Sequence, residues 1–327
     1  MFAVPRAGGT ACRSSGGDEM IRLATINLIA LISLIAAGCQ SIGSVHMCSM
    51  TELPRAPTPY RPQEPALSTA PLYSQRQYDA PYYAIAPTLD GRGDDVAWSC
   101  AQWTEDFTDI EGSTRTTPRQ RTRVKMLWNK EALFVLAELS ETDLWATLKT
   151  HDEIVFQDND FEIFVDPDGD TREYYEIEVN ALGTIFDLYL PETYRAGTKA
   201  NHEWNAMGMR LAIALDGTLN DSSDVDKSWS VEMELPWSIF APIPHSDGSA
   251  TFQSIACPPN VGDQWRINFS RVQWTLTKSG KSYAKVAGKP EDNWVWTPQW
   301  IIDMHVPQWW GRVTFVDGLT PVAKVAR

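Results

Sequence analysis

A stretch near the C-terminal end of this 327-residue chain, from Asp292 to Phe315, is rich in indole rings. Its five tryptophans are Trp294, Trp296, Trp300, Trp309 and Trp310. An exposed indole can stack on the flat C–H face of a sugar, while carboxylate, amide or guanidinium groups bond the hydroxyl rim. Because Trp309 and Trp310 adjoin the strand-like stretch GRVTF, one of them should point into a core. Trp300 is therefore the first candidate for a binding ring, and Trp296 is the second.

Carboxylates on successive strand-like segments offer a second kind of chemistry. Glu162, Glu178 and Asp187 could approach one another, and a pair of carboxylates is what a glycosidase needs. Carboxylates on neighbouring strands are also common without catalysis, so the sequence leaves binding and hydrolysis both open. The chain contains no GxSxG motif, and its five histidines form no metal-binding motif.

A third group of oxygen ligands lies in the stretch DPDGD, which places Asp166, Asp168 and Asp170 at alternate positions. Hard oxygen ligands at this spacing suit Ca²⁺. A solvated turn, in which Asp and Gly favour the backbone geometry, is the alternative. The stretch predicts either a calcium site or a plain turn.

The elements that must position these residues read as short strands. Val124, Met126 and Trp128 alternate with polar residues in RVKMLWN, and the stretches SWSVEMELPW and QWRINFSRVQW show the same period of two. Turn signals such as DPDGD, LDGTLND and PPNVGD separate them, and a long helical pattern is absent from the sequence. The sequence therefore predicts an all-β fold, an antiparallel β-sandwich forming a single domain over residues 76–318, followed by a tail at 319–327.

The N-terminal residues are not expected to belong to this domain. An apolar run after Arg22 ends in Ala36-Ala37-Gly38-Cys39, which has the layout of a secretory signal and resembles a bacterial lipobox. We expect residues 1–39 to be a signal peptide, with a possible true start at Met20, and Cys39 to carry a lipid. A cleaved, unlipidated secretory protein is the alternative.

The segment that follows the signal reads as a tether. Residues 40–75 are rich in proline and lack an apolar period, which favours extended, semi-rigid geometry. The expected location is the cell envelope, with the domain lipid-anchored at the outer membrane or cell surface, or secreted. Cys100 and Cys257 could pair in such a compartment, but no motif predicts a disulfide.

The net charge of −14 argues against a nucleic-acid partner, because phosphate binding requires clustered Lys and Arg. An acidic surface fits a neutral ligand, a cation, or simple solubility.

Seven stretches occur in a recognisable order: LDGRGDDVAW, VKMLWNKEALFVLAEL, DNDFEIFVDPDGD, YYEIEVNALGTIFDL, WSVEMELPW, GDQWRINFSRV and MHVPQWWGRVTF. This order resembles the family 9 carbohydrate-binding modules and the wider DOMON-like group of sandwich domains. The resemblance covers nearly the whole predicted domain. It implies an antiparallel β-sandwich that binds sugar without catalysis, often beside a polysaccharide-degrading enzyme, and it also implies structural calcium.

The resemblance carries over to individual positions only in part. Family members clamp a sugar between two tryptophans, and the first clamp position falls here near Phe156. The second falls near Met304 or His305, so neither ring is a tryptophan in this chain. Glu162 matches a polar sugar contact of the family, whereas Glu178 stands where the family carries an arginine.

Arg271 lies near another polar contact position of the family. It shares its parity with the apolar Ile267 and Phe269, which predicts an inward side chain that needs a carboxylate partner. Glu162 or Glu178 could be that partner, and such a pair would either shape a sugar site or satisfy the core.

Some sandwich domains of the wider group bind haem, so the resemblance also leaves a haem site open. Met304 and His305 are candidate ligands, but adjacent strand residues point to opposite faces. A second axial ligand would then have to come from elsewhere, for example His202.

The signal segment yields a direct test. Cys39→Ala should release the protein from membranes or block its processing, because the cysteine is the expected point of lipid attachment. Membrane fractionation and the mass of the mature protein are the measurements. A variant that fractionates and matures like the parent would show that Cys39 carries no lipid.

Overall fold

The computed structural model describes residues 75–241 and 256–318, and within these ranges the regular structure consists of strands and short 3-10 turns. The predicted all-β fold is therefore confirmed. Cys39, with the rest of the expected signal peptide, lies outside the described residues, as do nearly all of the tether and the C-terminal tail. Within the described ranges, no helix is long and apolar enough to cross a membrane.

The described part of the chain contains fourteen strands. In chain order they are β1 (Gln77–Pro81), β2 (Thr108–Asp109), β3 (Thr122–Trp128), β4 (Ala132–Ser140), β5 (Asp160–Asp166), β6 (Tyr174–Asn180), β7 (Ile185–Leu190), β8 (Arg210–Asp216), β9 (Ser228–Pro236), β10 (Gln264–Gln273), β11 (Leu276–Ser279), β12 (Ser282–Lys285), β13 (Asp292–Val295) and β14 (Gly311–Val316). The 3-10 turns are Val96–Ser99, Gly112–Thr114, Val155–Gln157, Tyr194–Ala196, Trp237–Phe240 and Pro307–Trp309.

Two sheets carry the fold. The larger has the order β1-β14-β10-β5-β6-β7, with β13 pairing β10 and β2 pairing β13, and the smaller has the order β3-β4-β9-β8. Strands β1 and β14 run parallel, whereas β10, β5, β6 and β7 pair antiparallel. β11 and β12 form a separate hairpin.

The main core lies between the two sheets. Val135 and Met233 of the smaller sheet belong to the same buried cluster as Ile163, Ile177 and Phe269 of the larger sheet. Face-to-face packing of two sheets through alternate, inward apolar residues defines a β-sandwich. The predicted β-sandwich, with two sheets packed around one core, is confirmed.

The pleat decides what the opposite face of the larger sheet carries. Ile163 of β5 and Ile177 of β6 point into the core, so Glu162, Glu176 and Glu178 must point away from it. The same alternation puts Ile267 and Phe269 of β10 inside. The outer face of the larger sheet therefore receives an acidic row in its middle.

Arg271 of β10 is a polar link between the two sheets. Its side chain is fully buried, and its guanidinium donates to Glu141 Oε2 at 2.9 Å, to Thr122 Oγ1 at 3.1 Å and to the Ser140 carbonyl at 2.9 Å. Burial lowers the pKa of Arg271 to about 10, and the negative charge of Glu141 acts in the opposite direction. The inward orientation predicted for Arg271 is confirmed.

The partner predicted for Arg271 is wrong, because Glu162 and Glu178 lie on the opposite face of the sheet. Glu141 takes their place, and it also accepts hydrogen bonds from Gln273 and Gln120. Arg271 is thus a structural residue of the sandwich and not part of a floor shared with Glu162.

Removing Glu141 should cost the protein much of its stability. Glu141→Ala leaves the Arg271 guanidinium buried without its counter-charge, and we expect a loss of roughly 3 kcal/mol or more in the free energy of unfolding. Urea denaturation measures it. The matched control is Glu138→Ala, because Glu138 pairs with Arg121 and Arg123 at the surface. Exposed pairs of this kind contribute about 1 kcal/mol or less. Equal losses in the two variants would contradict the structural role of the Arg271–Glu141 pair.

Candidate functional site

A groove of about 740 Å³ runs over the outer face of the larger sheet. Its floor is formed by β5, β6, β7 and β10, whose outward residues include Glu162, Glu176, Glu178, Phe186, Leu188 and Val272. Strand pairing sets Ser270, Glu162, Glu178 and Phe186 in one row across four strands. Residues directly opposite on paired strands have Cβ atoms about 4.5–5.5 Å apart, so the carboxyl groups of Glu162 and Glu178 meet on this floor.

Loops outside the sheet supply two walls of the groove, one beside Glu178 and one beside Glu176 of β6. Phe156 stands on one side, since its backbone N–H donates to Glu178 Oε2 at 2.9 Å. On the other side, beside Glu176, the Nε2 atom of His305 lies 3.9 Å from Glu176 Oε2. The His305 ring packs edge-on against the ring of Tyr194, with 4.5 Å between the ring centroids. Phe156 and Tyr194 are 36% and 43% exposed, so their rings are open to a ligand.

The two floor residues nearest these walls, Glu178 and Glu176, lie two positions apart on one strand. Along β6 this separation corresponds to about 7 Å. A ring held between two aromatic faces needs about 7–8 Å, because each apolar contact occupies about 3.5–4.0 Å. The residues that anchor the two walls are therefore separated by about the thickness of one sandwiched ring.

The floor holds its carboxyl groups in an environment that disfavours their charge. Burial raises the pKa of Glu162 to about 7. Burial, together with repulsion from Glu162, raises the pKa values of Asp160, Glu176 and Glu178 well above the ordinary range of carboxyl groups. Neutral carboxyl groups can donate as well as accept hydrogen bonds, which suits a ligand covered with hydroxyls.

The groove contains four of the seven residues predicted to bind a ligand. Phe156, Glu162, Glu178 and His305 all line it. Two features were missed by sequence reasoning. Tyr194 lies on a loop that no motif singled out, and Glu176 was passed over, although it shares the parity of Glu178 along β6 and could have been found from it.

Trp296 cannot stack on a ligand in this structure. Its ring is fully buried in the main core, and Gly311 makes room for it, since a Cβ there would lie 2.3 Å from the indole. Trp294 and Trp310 are buried as well. Most of the aromatic surface of this segment therefore stabilises the sandwich, and the expectation of an exposed Trp296 is corrected.

Trp300 lies away from the groove. Together with Trp309 and Thr116 it lines a smaller cavity of about 320 Å³. The backbone of Trp300 is left-handed, with φ of 65°, and its ring occupies the place that a Cβ of Gly112 would fill, 2.2 Å away. This half-buried ring is held by the turn Gly112–Thr114 and is separate from the acidic floor.

The other predicted clusters are also placed. Asp187 points to the inner side of β7 and faces His151 Nε2 at 3.2 Å, so it does not join Glu162 and Glu178 as the sequence allowed. Asp166, Asp168 and Asp170 each bring a carboxylate oxygen within 4.8 Å of the others. Cys100 and Cys257 are both free thiols.

The fold and the groove define a β-sandwich with an acidic, aromatic-walled binding face. Residues 89–279 match the family described as carbohydrate family 9 binding domain-like. The match spans more than half of the chain, and the chain therefore belongs to this family, as its motif order predicted.

The individual proteins that resemble this chain share only a modest fraction of its sequence. Over 202 residues the chain is 25% identical to endo-1,4-beta-xylanase A of Thermoanaerobacterium saccharolyticum; the matched part is 62% of this chain and 15% of that enzyme. A candidate carbohydrate-binding protein of Bacteroides uniformis ATCC 8492 has a similar fold, with 15% identity, a TM-score of 0.51 and coverage of 74% of this chain and 100% of that one.

A more remote likeness is to a family 9 carbohydrate-binding module of Caldicellulosiruptor kristjanssonii in complex with cellotriose. It shows 16% identity, a TM-score of 0.45 and coverage of 77% of this chain and 100% of that one. At these identities, structural likeness bears on the fold alone.

His305 should make stability depend on pH. Burial lowers its pKa to about 4, although nearby Asp303 raises it, so the native protein keeps the ring neutral. The unfolded chain binds a proton near pH 6.5. Stability is therefore lost as pH falls from about 6.5 to about 4, by up to roughly 3 kcal/mol, and this contribution is constant below that range.

His305→Gln removes the pH-dependent contribution of the histidine to stability. The surrounding Glu176, Tyr174, Tyr194 and Asp303 remain. We expect the parent to lose more stability than the variant between pH 7 and pH 4.5 in urea titrations. Parallel pH profiles for the two proteins would show that His305 is not held neutral by burial.

Proposed function

We propose that the groove on the outer face of the larger sheet binds carbohydrate without catalysing its breakdown. The observation that carries this proposal is the placing of exposed Phe156 and Tyr194 at the two ends of the buried carboxyl row of Glu176 and Glu178. The rings offer apolar faces to the C–H surface of a sugar, and the carboxyl groups offer hydrogen bonds to its hydroxyls. Membership of the family supports the same function.

A glycoside hydrolase that uses Glu162 and Glu178 is the second candidate, because the two carboxyl groups face each other across paired strands. Hydrolysis requires one protonated acid and one ionised carboxylate, which means environments that push the two pKa values apart. Burial raises both values here. The two shifts run in the same direction and assign neither an acid nor a base, so membership of a family of carbohydrate-binding domains carries the choice of binding over catalysis.

A haem site, the third candidate, finds less support. His202, Met304 and His305 do line one groove. However, His305 Nδ1 shares a hydrogen bond of 3.0 Å with the Tyr174 hydroxyl, and its Nε2 faces Glu176. An axial ligand needs a ring nitrogen that is free to meet the iron.

The calcium site predicted at Asp166, Asp168 and Asp170 remains a proposal. The three carboxylates are close enough to share an ion. Both oxygens of Asp166 already accept backbone N–H groups, from Gly169 and Thr171, each at 2.9 Å. The hydrogen bonds of Asp166 are thus supplied by the turn itself. Each carboxylate oxygen still has a second lone pair that could bind a metal.

The cellular setting is also proposed. Lipid attachment at Cys39 and the proline-rich segment 40–75 would hold the sandwich at a distance from a membrane. There it would capture a polysaccharide for a degrading enzyme, a partner of the kind that the resemblance to xylanase A suggests.

Phe156 gives the sharpest test of the groove. Phe156→Ala should weaken binding of an oligosaccharide by roughly 2 kcal/mol, about thirtyfold, because it removes one of the two stacking walls. Isothermal calorimetry with a panel of soluble oligosaccharides measures this, after melting curves have shown that the variant is folded.

Trp300→Ala is the matched control, since Trp300 is an accessible ring outside the groove. It should leave affinity unchanged. Loss of binding in Trp300→Ala with full binding in Phe156→Ala would move the site to the smaller cavity. A parent protein that binds no sugar of a broad panel would overturn the proposed function.

A further inference from the structure

The outer side of β5 and β10, beneath the groove, holds buried oxygen atoms without hydrogen-bond partners. Among the described residues, Asp160 Oδ2, Glu162 Oε2 and Ser270 Oγ are buried and have none. The three side chains are 0%, 3% and 0% exposed. Buried polar atoms are normally paired, so three unpaired oxygens in one place require an explanation.

These oxygens belong to one cluster. Ser270 stands directly opposite Glu162 in the pairing of β10 with β5, and Glu162 stands opposite Glu178 in the pairing of β5 with β6. One oxygen each from Asp160, Glu162 and Glu178 lies within 4.8 Å of the others. The Ser270 hydroxyl, directly opposite Glu162, adds a neutral oxygen, and its interaction with Glu162 opposes the burial that raises the pKa of this carboxyl group.

Backbone groups orient the cluster. The N–H of Val272 donates to Asp160 Oδ1 at 3.0 Å, and the N–H of Phe156 donates to Glu178 Oε2 at 2.9 Å. Each of these bonds fixes a carboxylate by one oxygen, and the second oxygen of Asp160 has no partner. The cluster is thus held in place without being fully satisfied.

The cluster also lacks a counter-charge. Within residues 75–241 and 256–318, no Lys or Arg forms an ion pair with any of its carboxylates. Arg271 follows Ser270 but points to the other face of the sheet, where it is paired with Glu141. Isolated buried carboxylates are very costly, so a proton or a cation must neutralise them.

We propose that Asp160, Glu162, Glu178 and Ser270 form a binding site for a divalent cation of the Ca²⁺ type beneath the groove. All the donors are hard oxygens, as Ca²⁺ prefers. Glu162 and Glu178 also line the groove, so the ion's remaining coordination positions face the space open to water or to ligand hydroxyls. The site does not depend on the proposed carbohydrate function.

The test is calorimetric titration of CaCl2, without any sugar, into protein freed of metal by a chelator. The variants are Asp160→Asn and Ser270→Ala, and the matched control is the double variant Asp168→Asn/Asp170→Asn in the second acidic cluster. One binding event should be at least tenfold weaker in Asp160→Asn, weakened in Ser270→Ala, and unchanged in the control.

Melting temperatures give a second readout, in which the order of the parent and the Asp160→Asn variant should reverse when calcium is added. Without metal, Asp160→Asn should melt at or above the temperature of the parent, because it removes a buried carboxylate that lacks a counter-charge. In millimolar CaCl2 the parent should melt higher, because an ion that binds only the native state stabilises it by mass action. If Asp160→Asn does not fold, Glu162→Gln takes its place in both measurements.

Two results would overturn the site. The first is a parent that binds no calcium at millimolar concentration, which would mean that protons alone neutralise the cluster. The second is calcium binding that persists in Asp160→Asn and Glu162→Gln but is lost in the double variant, which would place the ion at the loop of Asp168. A protein that binds calcium at the floor and no oligosaccharide keeps this site while losing the carbohydrate proposal.

Discussion

A β-strand places successive side chains on opposite faces of its sheet, and the larger sheet of this protein depends on that alternation. Isoleucine and phenylalanine at every second position of β5, β6 and β10 must meet the smaller sheet, because the apolar surface between the sheets drives the packing. The residues between them are then obliged to share the outer face. Glu162 and Glu178 are neighbours there because the register of the core makes them so.

The same constraint separates two kinds of buried charge. Arg271 and Glu141 lie between the sheets and are almost fully hydrogen-bonded, so this pair ties β10 to the smaller sheet. Asp160, Glu162 and Glu178 lie one residue out of phase with the core, and some of their oxygens lack partners. A satisfied polar cluster specifies the fold, whereas an unsatisfied one suits a ligand, a proton or an ion. The strand pleat thus places the hydrogen-bonded Arg271–Glu141 pair between the sheets and the unsatisfied carboxylates on the outer face.

The aromatic residues divide along similar lines. The tryptophans of the C-terminal segment mostly fill the interior, where large rings bury much apolar area. The open rings of the groove are instead Phe156 and Tyr194, on loops beside the sheet. Loops can present side chains to a ligand because the scaffold beneath them is rigid. This division explains how a chain that departs from its family at both clamp positions still builds an aromatic-walled groove.

The sequence by itself determined the all-β sandwich, the inward direction of Arg271 and the family, because a period of two and an ordered set of motifs are local properties of the chain. It also singled out Phe156, Glu162, Glu178 and His305, which the structure brings together in one groove. Only the tertiary structure decided that Glu141 pairs with Arg271, that Trp296 is core, that Trp300 lies in a separate cavity, and that Tyr194 and Glu176 complete the groove. Those facts depend on which strands become neighbours and which loops cover them. A partner more than a hundred residues away in the chain leaves no local signal. The sequence around a tryptophan is also the same whether its ring is buried in the core or exposed to a ligand.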